Sequence, residues 1–73
     1  MSRVRFLEDK QGNFLDKTRK KLMLEWPDIA EGCRVHQRTL FDWRRNKYQM
    51  NHAALQLLRE KYGIPLPKIE VLP

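Results

Sequence analysis

The 73-residue sequence predicts a mainly α fold: a compact single domain of four helices, whose N- and C-terminal segments are candidates to pair as a small two-stranded sheet. Three observations predict it. Between residues 13 and 63, apolar residues recur at i, i+3 or i+4, the period of a helix that buries one face. Helix-starting and helix-stopping residues cut that stretch at Pro27, Asn46, Asn51 and Gly63-Ile64-Pro65. Alternating apolar and polar residues occur at the two ends, in Arg3-Val4-Arg5-Phe6 and Lys68-Ile69-Glu70-Val71-Leu72. The chain therefore divides into an N-terminal arm or strand over 1–12, a helical core over 13–63 and an extended tail over 64–73.

Each element has its own reason. In the terminal segments, Val4 and Phe6 are placed to face Ile69 and Val71, with helices beneath them, since a lone two-stranded sheet is marginal. Asn13 is a candidate N-cap for the first helix, with Asp16 near the positive end of its dipole. Leu15, Leu22 and Trp26 follow on one face. Pro27 disfavours helical geometry at Trp26, which predicts a stop near Leu24 or Glu25. Pro27 then suits the first turn of a second helix, ending near Cys33. A turn through Arg34 and Val35 leads to a third helix over about 37–45, with Leu40 and Trp43 inward. Asn46 tolerates the left-handed conformation that closes it. Asn51 has the strongest cap signal in the chain, followed by the stripe Ala54, Leu55, Leu58 and Tyr62. Gly63 and Pro65 end that helix, and Ile64 is placed to touch back on its last turn. Leu66, Ile69 and Val71 are available to complete the core or to dock a partner chain.

Composition narrows the function. Fifteen Lys+Arg against nine Asp+Glu give +6, and 41% apolar residues argue for a folded chain rather than a basic tail. A domain this short buries only about 60% of its unfolded surface, which leaves little room for a deep catalytic pocket. Its one serine is Ser2, and it has no Gly-rich phosphate loop and no His-Glu-x-x-His motif, so no enzyme, catalytic residue or small-molecule substrate is expected. Cys33, His36 and His52 are the only Cys and His residues, one short of a structural zinc set, so no metal or cofactor is expected. A single cysteine, no apolar run of 18 and no signal-like N-terminus predict a cytoplasmic protein without a membrane partner. A small basic folded chain points first to nucleic acid.

Two short helices, a tight turn and a basic second helix make a helix-turn-helix arrangement. The residues Ile29-Ala30-Glu31-Gly32-Cys33-Arg34-Val35-His36-Gln37-Arg38-Thr39-Leu40-Phe41-Asp42-Trp43-Arg44-Arg45-Asn46 resemble that motif in phage-repressor-like transcription regulators of the Cro and lambda-repressor type. Ile29-Ala30 matches the family's apolar-Ala pair, Cys33 and Val35 the buried residues beside the turn, and Leu40 and Trp43 the inward positions of the recognition helix. The resemblance covers about residues 22–62. Two positions depart from it: Arg34 stands where the family has a turn glycine, and His36 where it has a Ser or Thr cap.

The resemblance implies sequence-specific binding of double-stranded DNA, with the helix over about 37–45 in the major groove, and a small prokaryotic or phage transcription regulator. Gln37, Arg38, Asp42 and Phe41 are the candidate base contacts. Gln pairs with adenine, Arg with guanine, Asp with the cytosine amine, and a ring with the thymine methyl. Asp42 could equally hold Arg38 through an i, i+4 pair, and Phe41 could fold onto Tyr48. Arg34, His36, Arg44, Arg45, Lys47 and Tyr48 are the candidate phosphate contacts. Residues 34–47 hold five basic residues against one acidic, a net +4 of the chain's +6. The Lys17-Arg19-Lys20-Lys21 run reads as solvated surface or as a further backbone contact. A regulator acting on a palindrome would be a homodimer. The competing readings are a protein-interaction module, a DNA-targeting module of a mobile-element or toxin–antitoxin protein, and an RNA binder.

Overall fold

A computed structural model describes residues 2–73. Along the chain run β1 (Arg3–Phe6), α1 (Gln11–Leu22), α2 (Trp26–Cys33), α3 (Gln37–Arg44), α4 (His52–Tyr62) and β2 (Ile69–Leu72). This is the mainly α architecture with a small terminal sheet that the sequence predicts. β1 and β2 pair antiparallel, with Val4 opposite Val71 and Phe6 opposite Ile69. The other edge of β1 is held by the segment before α4: Val4 N–H donates to the Met50 carbonyl and Arg3 bridges to Asn51. α1 packs on α3, and α2 packs on both α3 and α4.

One apolar core joins all of these elements. Val4, Leu15, Ile29, Leu40, Trp43, Met50, Leu55 and Leu58 are buried there, with Ala30 where α2 must pack closely. The stripe on α4 is the expected one, and Ile64 folds back into the core after Gly63, whose φ of 65° ends the helix. Among the described residues, no helix is long and apolar enough to cross a membrane.

Several local expectations are corrected. α1 starts at Gln11, so Asn13 lies inside it and donates to the Asp9 carboxylate instead of capping; Asp16 pairs with Lys20 one turn on. The helix stops at Leu22, where Met23 takes a left-handed conformation and its N–H bonds the carbonyls of the last turn. Asn51 occupies the N-cap position of α4 without a side-chain cap bond. Trp26 belongs to α2 and is half-buried rather than in the core. Leu66 and Val71 are exposed, so the tail closes the core through Ile64 and Ile69 alone.

Candidate nucleic-acid interface

The geometry of α3 is set at both ends. Before it, the Arg34 N–H donates to the Glu31 carbonyl and the Val35 N–H to the Ala30 carbonyl, which closes α2 and turns the chain. Arg34 makes this turn at φ 56°, the conformation for which the repressor-like pattern uses glycine. A side chain there costs about 1 kcal/mol. Arg34→Gly is accordingly expected to raise the melting temperature by about 4–8 °C, measured by thermal unfolding; a lowered melting temperature would show that the arginine side chain itself holds the turn. His36 does cap α3, its Nδ1 accepting from the Arg38 N–H at 3.2 Å. Imidazole thus replaces the Ser or Thr hydroxyl, and Nε2 is left for another partner.

Leu40 and Trp43 anchor α3 to the core at about 1% exposure each. Gln37 and Arg38 consequently lie on the exposed face. Asp42 does not share that freedom. Its side chain is 13% exposed and its Oδ1 sits 3.8 Å from Arg38 Nε, without a hydrogen-bond partner. The i, i+4 pairing with Arg38 is therefore present, and Arg38 stays 76% exposed beyond it. Phe41 is 41% exposed and lies beside the first turn of α1, with the Arg45 guanidinium 5.2 Å from its ring. Among the described residues its ring does not pair with that of Tyr48.

Five cations pair with carboxylates, and the others, Arg3, Lys10, Arg19, Lys21, Arg59 and Lys61 among them, have none within 4 Å among the described residues. On the sheet and α1, Lys17 pairs with Asp9 at 3.0 Å, Lys20 with Asp16 at 3.2 Å, Lys68 with Glu8 at 3.0 Å, and Arg5 with Glu70. The Lys17–Lys21 run is thus partly neutralised by its own surface. Around α3, Arg34, Arg44, Arg45 and Lys47 have no carboxylate within 4 Å among the described residues. Arg44 instead sits over Trp26, its guanidinium carbon 3.6 Å from the ring centroid, with that of Arg19 5.1 Å from the same ring. Stacking of this kind holds a guanidinium in place and leaves its N–H edge able to donate. Lys47 stands 5.4 Å from the ring of Tyr48, which is itself 54% exposed.

Three residues hold this surface in shape: Gln11 and Gly12, which carry no signal in the sequence, and Asn46, whose signal there is only for closing the third helix in the left-handed conformation it adopts. Gln11 is buried, and its Nε2 donates to the Trp43 carbonyl at 3.0 Å and the Tyr48 carbonyl at 2.7 Å. Its Oε1 accepts from the Met50 N–H at 2.8 Å. The Asn46 side chain, at φ 59°, accepts from the Gly12 N–H at 3.0 Å. Gly12 lies so close to α3 that a Cβ there would overlap the Arg44 carbonyl oxygen. Gln11, Gly12 and Asn46 together bolt the end of α3 and the following loop to the start of α1. Nearby, hydrogen bonds from Asn13, Lys17 and the Lys10 N–H hold the Asp9 carboxyl down at about 2, so it is ionised and engaged. Burial pushes the Cys33 thiol up to about 11, which makes it an inert core residue at neutral pH. Among the described residues, no three His, Cys, Asp or Glu side chains come together as a metal site. No family model, no curated protein and no solved structure matches the chain, so the functional reading rests on these residues themselves.

Proposed function

We propose that the protein binds double-stranded DNA in a sequence-specific manner, with α3 in the major groove, as a small transcription regulator. The observation that carries the reading is the distribution of uncompensated charge. Arg34, Arg44, Arg45 and Lys47 bracket the exposed polar face of α3 as a cluster with no carboxylate within 4 Å among the described residues, whereas on the sheet and α1 Arg5, Lys17 and Lys20 are paired and the unpaired Arg3, Arg19 and Lys21 are interspersed with them. A duplex presents a row of phosphates on both sides of its major groove, and a helix of this width fits between them. Gln37 and Arg38 are then the base readers, and Asp42 acts through Arg38, whose Nε lies 3.8 Å from its Oδ1. Arg34, Arg45, Lys47, Tyr48 and the Nε2 of His36 face the backbone, joined by Arg44 from its seat on Trp26.

The test is selection of random duplex DNA by the purified chain at about 150 mM salt, where non-specific binding is weak. An enriched motif is expected. Arg38→Ala should relax preference at one base pair by about 1–3 kcal/mol. Lys47→Ala should weaken all sequences alike and reduce the salt slope by about one. Absence of an enriched motif, or loss of function through Phe41→Ala with Gln37→Ala and Arg38→Ala silent, would replace this reading by a protein-interaction role.

A further inference from the structure

β1, the first turn of α1 and the loop after α3 enclose an open groove of about 310 Å³. Lys10 and Lys47 line it, together with Asn46, Tyr48 and Gln49. Neither lysine has a carboxylate within 4 Å among the described residues. Asn46 uses its side-chain oxygen on the Gly12 N–H, which leaves its NH₂ to donate. Asp9 also lines the groove, but its oxygens already accept from Asn13, Lys17 and the Lys10 N–H. The first turn of α1 carries no acidic residue. What remains is a trough with donors spread along its length. That suits a repeating anion better than a single small one, which would need donors converging on a point.

The groove also adjoins the end of α3, because Asn46 and Lys47 in the loop that leaves the helix line it. Gln11 and Asn46 tie its α1 wall to the loop that leaves α3, so the two surfaces move as one body. We infer that this groove seats the phosphodiester backbone of the same duplex whose bases α3 reads, which makes Lys10 a phosphate contact outside the helix-turn-helix. The inference rests on the DNA-binding reading and enlarges the footprint it implies.

The experiment measures affinity for the selected duplex from 50 to 200 mM salt, for the wild type, Lys10→Gln, Lys10→Arg and Lys21→Gln, each checked to melt at the wild-type temperature. Lys10 and Lys21 are both exposed on or beside α1, and Lys21 lies at its far end, away from the groove. Lys10→Gln is expected to select the same motif while its salt slope falls by about 0.9, an approximately 3.5-fold smaller loss of affinity across that range. Lys10→Arg should restore the slope, and Lys21→Gln should keep it. Ethylation of one phosphate flanking the motif should weaken the wild type and leave Lys10→Gln unaffected. An unchanged slope for Lys10→Gln with the motif intact would overturn the inference alone. An equal fall for Lys21→Gln would also overturn it, by showing a generic charge effect. A wild-type chain that binds no duplex would overturn both this inference and the reading beneath it.

Discussion

Replacement of Gln11 by alanine is expected to lower the unfolding free energy by about 2–4 kcal/mol. The loss comes from orphaned polar groups. The amide serves the Trp43 carbonyl, the Tyr48 carbonyl and the Met50 N–H, with its own residue buried. Each such bond is worth about 1 kcal/mol net, and a buried partner left unpaired costs about 1–3 kcal/mol. Domains of this kind are stable by only about 5–15 kcal/mol, so the loss is a large share of the total. At this chain length it corresponds to a fall in melting temperature of roughly 10–25 °C, readable by circular dichroism or calorimetry. Gln11→Glu should be no better, because it sets carboxylate oxygens against two carbonyl oxygens. A melting temperature within about 2 °C of wild type for Gln11→Ala would mean that the loop does not depend on this clamp.

Gly12→Ala carries the second large effect and separates stability from geometry. A methyl group at that position would overlap the Arg44 carbonyl oxygen, a backbone atom with no rotamer to escape into. Overpacking of this kind costs about 1–3 kcal/mol, against a gain of up to about 1 kcal/mol from replacing glycine in a helix. The only relief is for the last turn of α3 to move away from α1. That motion takes Arg44 off Trp26 and carries Arg45 and Lys47 with it. DNA affinity is therefore expected to fall further than the loss of folded protein accounts for. Thermal melts and binding titrations on the same preparation check both halves. A destabilised variant whose folded fraction binds with wild-type affinity would show that the end of α3 is not part of the interface.

How much of this was legible in the sequence depended on whether a signal was local. α4 was readable because Gly63 and Pro65 end it and its apolar stripe repeats at helical spacing. Yet Asn51 caps it by position only, while His36, a weak cap by residue type, makes its bond to the Arg38 N–H. That Val4 and Phe6 would meet Ile69 and Val71 was readable from alternation, but the register, Val4 opposite Val71 and Phe6 opposite Ile69, was not. The start of α1 was not. Gln11 is helical and buried because its partners lie at Trp43, Tyr48 and Met50, far along the chain, and nothing near residue 11 records them. Trp26 misled for the opposite reason. A tryptophan counts as core by type, but this ring is only half-buried against the core, with two guanidinium groups lying over it. At α3, the inward residues Leu40 and Trp43 were readable from their spacing. The burial of Asp42 was not, since it depends on what β1 and the Asn51 segment bring against that side of the helix.

The pairing of β1 with β2 has a consequence for how the protein forms. Its helices are local and can appear within microseconds, but Val4 reaches its buried position beside Met50 and Val71 only when the two ends of the chain meet. Closing so long a loop is entropically the most demanding step in the pathway. During synthesis, the strand that completes this sheet is among the last parts of the domain to leave the ribosome. Until Ile69 and Val71 emerge, Val4 and Phe6 lack their β2 partners and β1 is held only along its Met50–Asn51 edge, so the nascent chain carries an open apolar seam. The interval between emergence of α4 and emergence of β2 is thus the window in which this protein is most exposed to proteolysis and misassociation.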